Sequence, residues 1–261
     1  MQKYLLLFLL PLFFTGPVRA QEGWQRSPSG RLLQYSHGGI IRTDTMQRRI
    51  HLVFTGDTFA DGYEVIKSAL DKRGVKASFF FTGHFYRHPD FASLIRELAA
   101  DGHYLGAHSD RHLLYAAWED RDSLLVTRDS FERDLLDNYA VMGRFGIERA
   151  DAPFFMPPYE WYNQRISDWC RDLGFTLVNF TPGTSANQDW SYPALGKGYY
   201  SSDTIFRKLL DYEQQHTLNG FILLTHIGVD PRRPDPFYRR LDELLTVLEE
   251  RGYRFSLLGE P

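Results

Sequence analysis

The sequence predicts an α/β fold, one domain built on a parallel sheet or barrel. Three observations lead there. From residue 49 onward, short apolar runs alternate with helical patterns, the signature of repeated strand–helix units. One of those runs, Ala77–Phe81, is apolar at nearly every position, as in a strand covered on both faces. The length of 261 residues, with 43% hydrophobic and 24% charged, suits one large α/β domain or two small ones. It excludes a disordered chain or a membrane bundle. No repeat, low-complexity tract or long linker divides the chain.

The elements follow in order. Residues 1–20 carry Lys3, an apolar stretch from Tyr4 to Phe14 and a small-x-small end at Val18-Arg19-Ala20. They read as a secretory signal peptide, too short to span a bilayer. Residues 21–48 are polar and turn-rich and read as a lead-in to a domain over 49–261. Strands are expected at Ile50–Phe54, Ala77–Phe81, Tyr104–Ala107, Phe154–Met156, Leu177–Phe180, Phe221–Thr225 and Tyr253–Leu257. Helices are expected at Glu64–Lys72, Asp90–Ala100, Asp129–Gly143, Asn163–Leu173, Ser202–Glu213 and Asp235–Arg251. Asp129 and Glu132 have the spacing of a capping box. In the last helix Leu241, Leu244, Leu245 and Leu248 mark the buried face.

Composition narrows the function. Thirty Lys+Arg against 33 Asp+Glu give a net charge of −3, which argues against a nucleic-acid backbone as partner. Cys170 is the single cysteine, so an intramolecular disulfide and a Cys-rich metal site are both excluded. A buried place as a small hydrophobe is its simplest use.

In parallel α/β folds chemistry gathers at the C-terminal ends of strands. Polar residues follow five of the runs here. Thr55-Gly56-Asp57 follows the first, and His108-Ser109-Asp110-Arg111-His112 the third. Pro157-Pro158-Tyr159-Glu160, the stretch Thr181–Trp190, and His226 follow the next three. His108 and His112 are four residues apart. In a helical conformation both imidazoles would face one side, one turn apart. Such a pair can hold Zn²⁺ or another divalent metal at about 2.0–2.1 Å, given a third protein ligand and an open position. Asp57 and Asp61 are the nearest carboxylates in the motif. Tyr159, Trp161, Tyr162, Trp190 and Tyr192 cluster in the same loops, where aromatic faces suit stacking on pyranose rings. His84, His88 and His103 have no partnering motif and read as structural or exposed.

These residues resemble the polysaccharide deacetylases, the NodB homology domain of carbohydrate esterase family 4, over roughly residues 48–257. Thr58-Phe59-Ala60-Asp61-Gly62 corresponds to the family's T-F-D-D-G, and His108–His112 matches H-[ST]-x-x-H in full. Met156-Pro157-Pro158-Tyr159 is similar to R-x-P-Y, Asp189-Trp190 to the D-W of the fourth motif, and Leu223-Leu224-Thr225-His226 to L-x-x-H. The resemblance implies a distorted (β/α) barrel and removal of N- or O-acetyl groups from sugars.

It also implies roles. Asp61 maps onto the metal ligand beside His108 and His112. Asp57 serves as base in place of the family acid that Ala60 replaces, though the loop length leaves the two assignments exchangeable. Glu160 compensates for charge lost where Met156 replaces the family's Arg, or acts as base itself. His226 is the acid that protonates the leaving group, with Asp189 keeping it charged. Tyr159, Trp161 and Trp190 contact the carbohydrate, and a backbone N–H near Tyr159 holds the oxyanion. The implied protein is exported, periplasmic or extracellular, with a carbohydrate substrate, no nucleic acid and no membrane span after signal cleavage. Two alternatives stand beside it. One is a related metal-dependent amide or ester hydrolase with an altered base. The other is a sugar-binding pseudoenzyme, suggested by Ala60 and opposed by the retained His226 and Asp189.

Overall fold

Three strands precede the first predicted one: β1 (Gly23–Arg26), β2 (Leu32–Ser36) and β3 (Gly39–Arg42). The structure, a computed structural model, describes residues 22–27 and 30–259. The expected signal peptide over 1–20 lies outside them. The stretch read as a lead-in is thus part of the sheet. Its hairpin turns on His37 and Gly38, with φ of 47° and 79°. Two successive left-handed residues make the two-residue turn that suits strand twist. His-Gly is a weaker signal of it than Asn-Gly, and strands of four or five residues show little periodicity.

The remaining elements fall close to expectation. They are β4 (Arg49–Gly56), α1 (Tyr63–Asp71), β5 (Ser78–Phe81), α2 (Gly83–Arg87), α3 (Ala92–Ala100), β6 (Tyr104–Ala107) and α4 (Arg128–Met142). After them come β7 (Phe154–Phe155), α5 (Gln164–Asp172), β8 (Thr176–Leu177), α6 (Ser202–His216), β9 (Phe221–His226), α7 (Leu241–Glu250) and β10 (Arg254–Phe255). The short α2 was not expected. The N-cap of α4 is Thr127, whose hydroxyl accepts from Ser130 N–H at 3.2 Å. The predicted Asp129–Glu132 capping box does not form: Asp129 lies inside the first turn of α4, and Glu132 pairs with Arg128.

The sheet runs β1-β2-β3-β9-β4-β5-β6-β7-β8, with β10 beside β4. From β9 to β8 every neighbouring pair is parallel. Just past β8, Val178 bridges back to Ile40 of β3, and Asn179 N–H donates to the Ile40 carbonyl at 2.8 Å. The sheet therefore curls into a barrel.

Strand alternation then decides which side chains point inward. Ile50, Leu52 and Phe54 of β4 pack outward with Ile66 and Leu70 of α1, and Phe79 and Phe81 of β5 belong to the same layer. Val53, Phe80, Ile222, Leu224 and Met156 fill the barrel interior with Ile40 and Val178. Met156, standing where the family carries Arg, is thus a core residue, fully buried. Gly106 belongs to the inner row, where a Cβ would run into the Phe80 ring. Truncating Phe80 to Ala would cost about 3–5 kcal/mol. Following the inner rows to the strand ends reaches Asp57 just past β4, after Val53 and Thr55, His108 just past β6, after Gly106, and His226 as the last residue of β9, after Leu224. The parity that fills the core also aims these three into the mouth.

Candidate active site

The mouth holds a cleft of about 590 Å³, lined by Thr55 and Gly56 of β4 and the adjoining Asp57, His108 and His112, Tyr159 and Glu160, and His226. Trp118, Asn187, Gln188 and Trp190 complete its rim.

His108 is buried at the end of β6. Its Nδ1 lies 2.9 Å from the Met156 carbonyl. A carbonyl only accepts, so Nδ1 carries the proton and Nε2 keeps its lone pair for the cleft. Burial first, then His112, hold the pKa of His108 well below the usual imidazole range. His112 is likewise lowered, chiefly by burial, with Asp57 opposing. The two ring centroids are 5.2 Å apart, inclined at 61°. Two imidazoles bound tetrahedrally to one ion at 2.0–2.1 Å would have centroids roughly 5 Å apart. The donor pair therefore fits a divalent metal.

No helix brings them together. Residues 108–112 form a loop in which Ser109 and His112 take positive φ, 73° and 54°. The expected helical turn is replaced by left-handed residues, held from two sides. Gly83 and His84 of α2 donate backbone N–H groups to the carbonyls of Ser109 and Asp110. From α4, Asp134 accepts from Ser109 Oγ at 2.6 Å, Tyr115 Oη at 2.8 Å and Arg111 N at 3.1 Å. One turn further, Asn138 Oδ1 accepts from His108 N–H at 2.9 Å. Asp134 and Asn138 are both fully buried. The sequence reading missed them; their only signal was two polar residues four apart on a buried helix face.

Asp57 is the carboxylate of the opening loop that reaches the cleft. Thr82 and Thr58 hydroxyls donate to its two oxygens at 2.8 and 2.9 Å. Asp61, the expected metal ligand, is not brought to the histidines. Its Oδ1 accepts from Val229 N–H at 2.9 Å and its Oδ2 from the Tyr238 hydroxyl at 2.5 Å, and it is absent from the cleft lining. Its role is to pin the β9–α7 connection.

Glu160 comes into the cleft by an unusual route. Tyr159 and Glu160 both have positive φ, 59° and 53°, a strain of about 1–2 kcal/mol per residue. The Asn179 amide holds the Glu160 carbonyl at 2.8 Å. The carboxylate that results has Oε1 3.9 Å from His108 Nε2. Burial raises its pKa to about 7, with the His226 charge opposing and Asp189 assisting.

His226 ends β9. Its Nδ1 is 2.6 Å from Asp189 Oδ1, and its backbone N–H donates to Asp189 Oδ2 at 2.9 Å. Burial pulls the imidazole pKa down, but the charge and hydrogen bond of the fully buried Asp189, with Glu160, carry it above the ordinary value. Of the expected carbohydrate contacts, Tyr159 and Trp190 are exposed on the cleft wall. Trp161 lies behind it, its Nε1–H donated to the Ala117 carbonyl. Tyr162 is buried in the core. Trp118, which the sequence reading passed over, is 5.8 Å from the Tyr159 ring.

A second acidic cluster, Asp71, Asp101 and His103, has its ligand atoms within 4.8 Å of one another. It lies at the ends of α1 and α3, away from the cleft. The Lys67 ammonium already bridges Asp71 and Asp101 at 2.5 and 2.8 Å. His103 Nδ1 accepts from Ala77 N–H, so in the neutral ring the proton is on Nε2 and no lone pair faces the carboxylates. Burial, its largest influence, lowers its pKa to about 4. The chemistry of this donor set does not suit an ion; that of the cleft does.

Comparison with known proteins bears on the family and the fold. The family model described as polysaccharide deacetylase matches residues 43–178. The chain is 26% identical over 228 residues to a peptidoglycan-N-acetylmuramic acid deacetylase, PdaA, of Bacillus subtilis, covering 83% of this chain and 72% of that protein. The solved structure of Bacillus subtilis PdaA, a family 4 carbohydrate esterase, superposes with a TM-score of 0.64 at 20% identity, covering 90% of this chain and 93% of that one. A pseudoenzyme of the same family from Bacillus anthracis superposes at 0.66 with 16% identity, covering 86% and 68%. Structural likeness at such identities bears on the fold: the distorted (β/α) barrel expected from the motifs.

Proposed function

Because this chain belongs to the polysaccharide deacetylase family and is a hydrolase, we propose that it removes acetyl groups from a polysaccharide or oligosaccharide outside the cell, using a divalent metal. The observation that carries the reading is the convergence of His108, His112, Asp57, Glu160 and His226 on one cleft.

His108 Nε2, His112 and Asp57 are the proposed metal ligands, and zinc suits two imidazoles and a carboxylate. When bound, such an ion supplies Lewis-acid chemistry, polarising an acyl carbonyl and acidifying water. The remaining work falls to the chain. Glu160 takes a proton from the attacking water as the new C–O bond forms at the acyl carbon. The backbone N–H of Tyr159 steadies the charge developing on the acyl oxygen. His226 Nε2, kept charged by Asp189, gives its proton to the leaving nitrogen or oxygen as the C–N or C–O bond breaks. Acetate and a free amine or hydroxyl result. Glu160 and His226, one gaining and one losing a proton, then re-equilibrate. Tyr159, Trp190 and Trp118 form the aromatic wall for the sugar rings.

Export rests on residues 1–20, and among the described residues no helix is long and apolar enough to cross a membrane. The test is metal analysis of the purified protein with acetate release from chito-oligosaccharides, peptide-free peptidoglycan glycan and acetylxylan, before and after chelation. Release that survives complete metal removal, or none from any acetylated glycan, would sink the reading.

A further inference from the structure

The cleft does not stop at Glu160. A second lobe of about 280 Å³ adjoins it, sharing Tyr159, Glu160 and Asn187. Arg121 is the one lysine or arginine lining either lobe. Its guanidinium carbon lies 3.5 Å from the centroid of the Trp161 ring, and its Nη1 donates to His37 Nδ1 at 3.1 Å. Trp161 is fixed by its bond to the Ala117 carbonyl, and the Asn163 amide donates to the carbonyl of Arg121 itself. The cation is therefore held in place before any ligand arrives, which limits the entropy a ligand must offset.

Its charge is also left available. Among the described residues no carboxylate forms an ion pair with Arg121. Glu22 and Asp122 act on it only at longer range, and the Glu22 carboxylate is engaged by the backbone N–H of His37 at 2.5 Å. A half-buried guanidinium stacked on an indole, beside a site otherwise lined by acids, imidazoles and aromatic rings, suits a planar carboxylate.

We propose that this lobe is a carboxylate subsite. It takes an acidic substituent, such as a lactyl ether or uronate group, carried by the sugar under attack or by its neighbour along the chain. The inference rests on the deacetylase reading and narrows it to acidic amino-sugar polymers.

The test compares kcat/KM for acetate release from two forms of peptide-free glycan with alternating N-acetylglucosamine and N-acetylmuramic acid. One form has its carboxylates intact; the other has them reduced to alcohols. The native protein should favour the intact form by about tenfold or more, the range for a hydrogen bond between charged groups. In Arg121→Gln the ratio should fall near one, and Arg121→Lys should keep part of it. Product analysis of which sugar lost its acetyl group tells whether the acid sits on the reacting unit or its neighbour. Release from both forms at equal efficiency, or a ratio that survives in Arg121→Gln, overturns the subsite and leaves deacetylation standing. Carboxylate-dependent binding lost in Arg121→Gln, with no acetate released, overturns the deacetylase reading and leaves the subsite. Neither release nor binding overturns both.

Discussion

Glu160 Oε1 sits 3.9 Å from Nε2 of His108, and the Glu160 side chain is only 9% exposed. The carboxylate proposed as base therefore enters the cleft from the turn after β7 and not from the loop after β4. The end of β4 has no room for a further acid beside Asp57: a Cβ on Gly56 would meet Ile227, Phe85 and Phe81. Glu160→Gln should lower kcat by about 10²–10⁴ while the metal content stays at that of the native protein. Asp57→Asn should lose metal. Elemental analysis beside acetate-release kinetics checks both, and a Glu160→Gln protein that loses its metal would move that residue from base to ligand.

With His226 as the proposed acid, the His226–Asp189 pair should fix the alkaline side of the pH profile. His226 must be protonated to give its proton away, and Asp189, against the effect of burial, raises its pKa above the ordinary value. Activity should therefore fall as pH rises through that raised value. Asp189→Asn removes the charge, so the falling limb of kcat/KM should move to lower pH. His226→Gln should cost about 10²–10⁴ in rate. Profiles measured with saturating metal decide it; an unmoved limb in Asp189→Asn would assign that limb to another group.

How much of this was legible in the sequence follows from which contacts are local. The runs at Ile50, Ala77 and Phe221 announce strands because their inner and outer faces are both buried. That His108, His112 and His226 would meet at the barrel mouth was readable because each motif lies at or just past a strand end, whereas Asp189 was named only by its resemblance to the family's D-W motif. The choice between Asp57 and Asp61 was not, since both stand in one loop and only the long-range bonds from Val229 and Tyr238 draw Asp61 away. The position of Glu160 was equally hidden, because it depends on two left-handed residues that no spacing reveals. The hairpin over residues 32–42 escaped for a different reason: its strands are too short to show a period, and His37-Gly38 is a weak turn signal.

Asp134 should control metal affinity without touching the ion. It is fully buried and accepts from two donors of the histidine loop, Ser109 and Arg111, and from Tyr115 just beyond it. Asp134→Asn should weaken metal binding by about 10–100-fold, the usual effect of disturbing the groups behind a ligand, and cost about 1–3 kcal/mol of stability. Competition with a chelator of known affinity measures the first and urea unfolding the second. A stability loss with unchanged metal affinity would reduce Asp134 to a packing role.

The buried carboxyl of Glu160 should also leave a mark on stability once the metal is stripped. Its folded pKa, about 7, stands above an ordinary value near 4.5, with burial the largest cause. Between those values the folded chain holds the proton that the unfolded chain has released. Stability must therefore fall as pH climbs through that window. At one pKa unit per 1.36 kcal/mol, the full penalty above pH 7 is roughly 3 kcal/mol. Glu160→Gln keeps the shape and cannot ionise. Its advantage over the native protein should be near zero around pH 4, grow through the window, and level off near pH 8. Urea denaturation of the chelated proteins across that range reads the difference directly. A pH-independent offset would show that Glu160 is solvated in the metal-free site, and it would then have no reason to titrate where a base at neutral pH must.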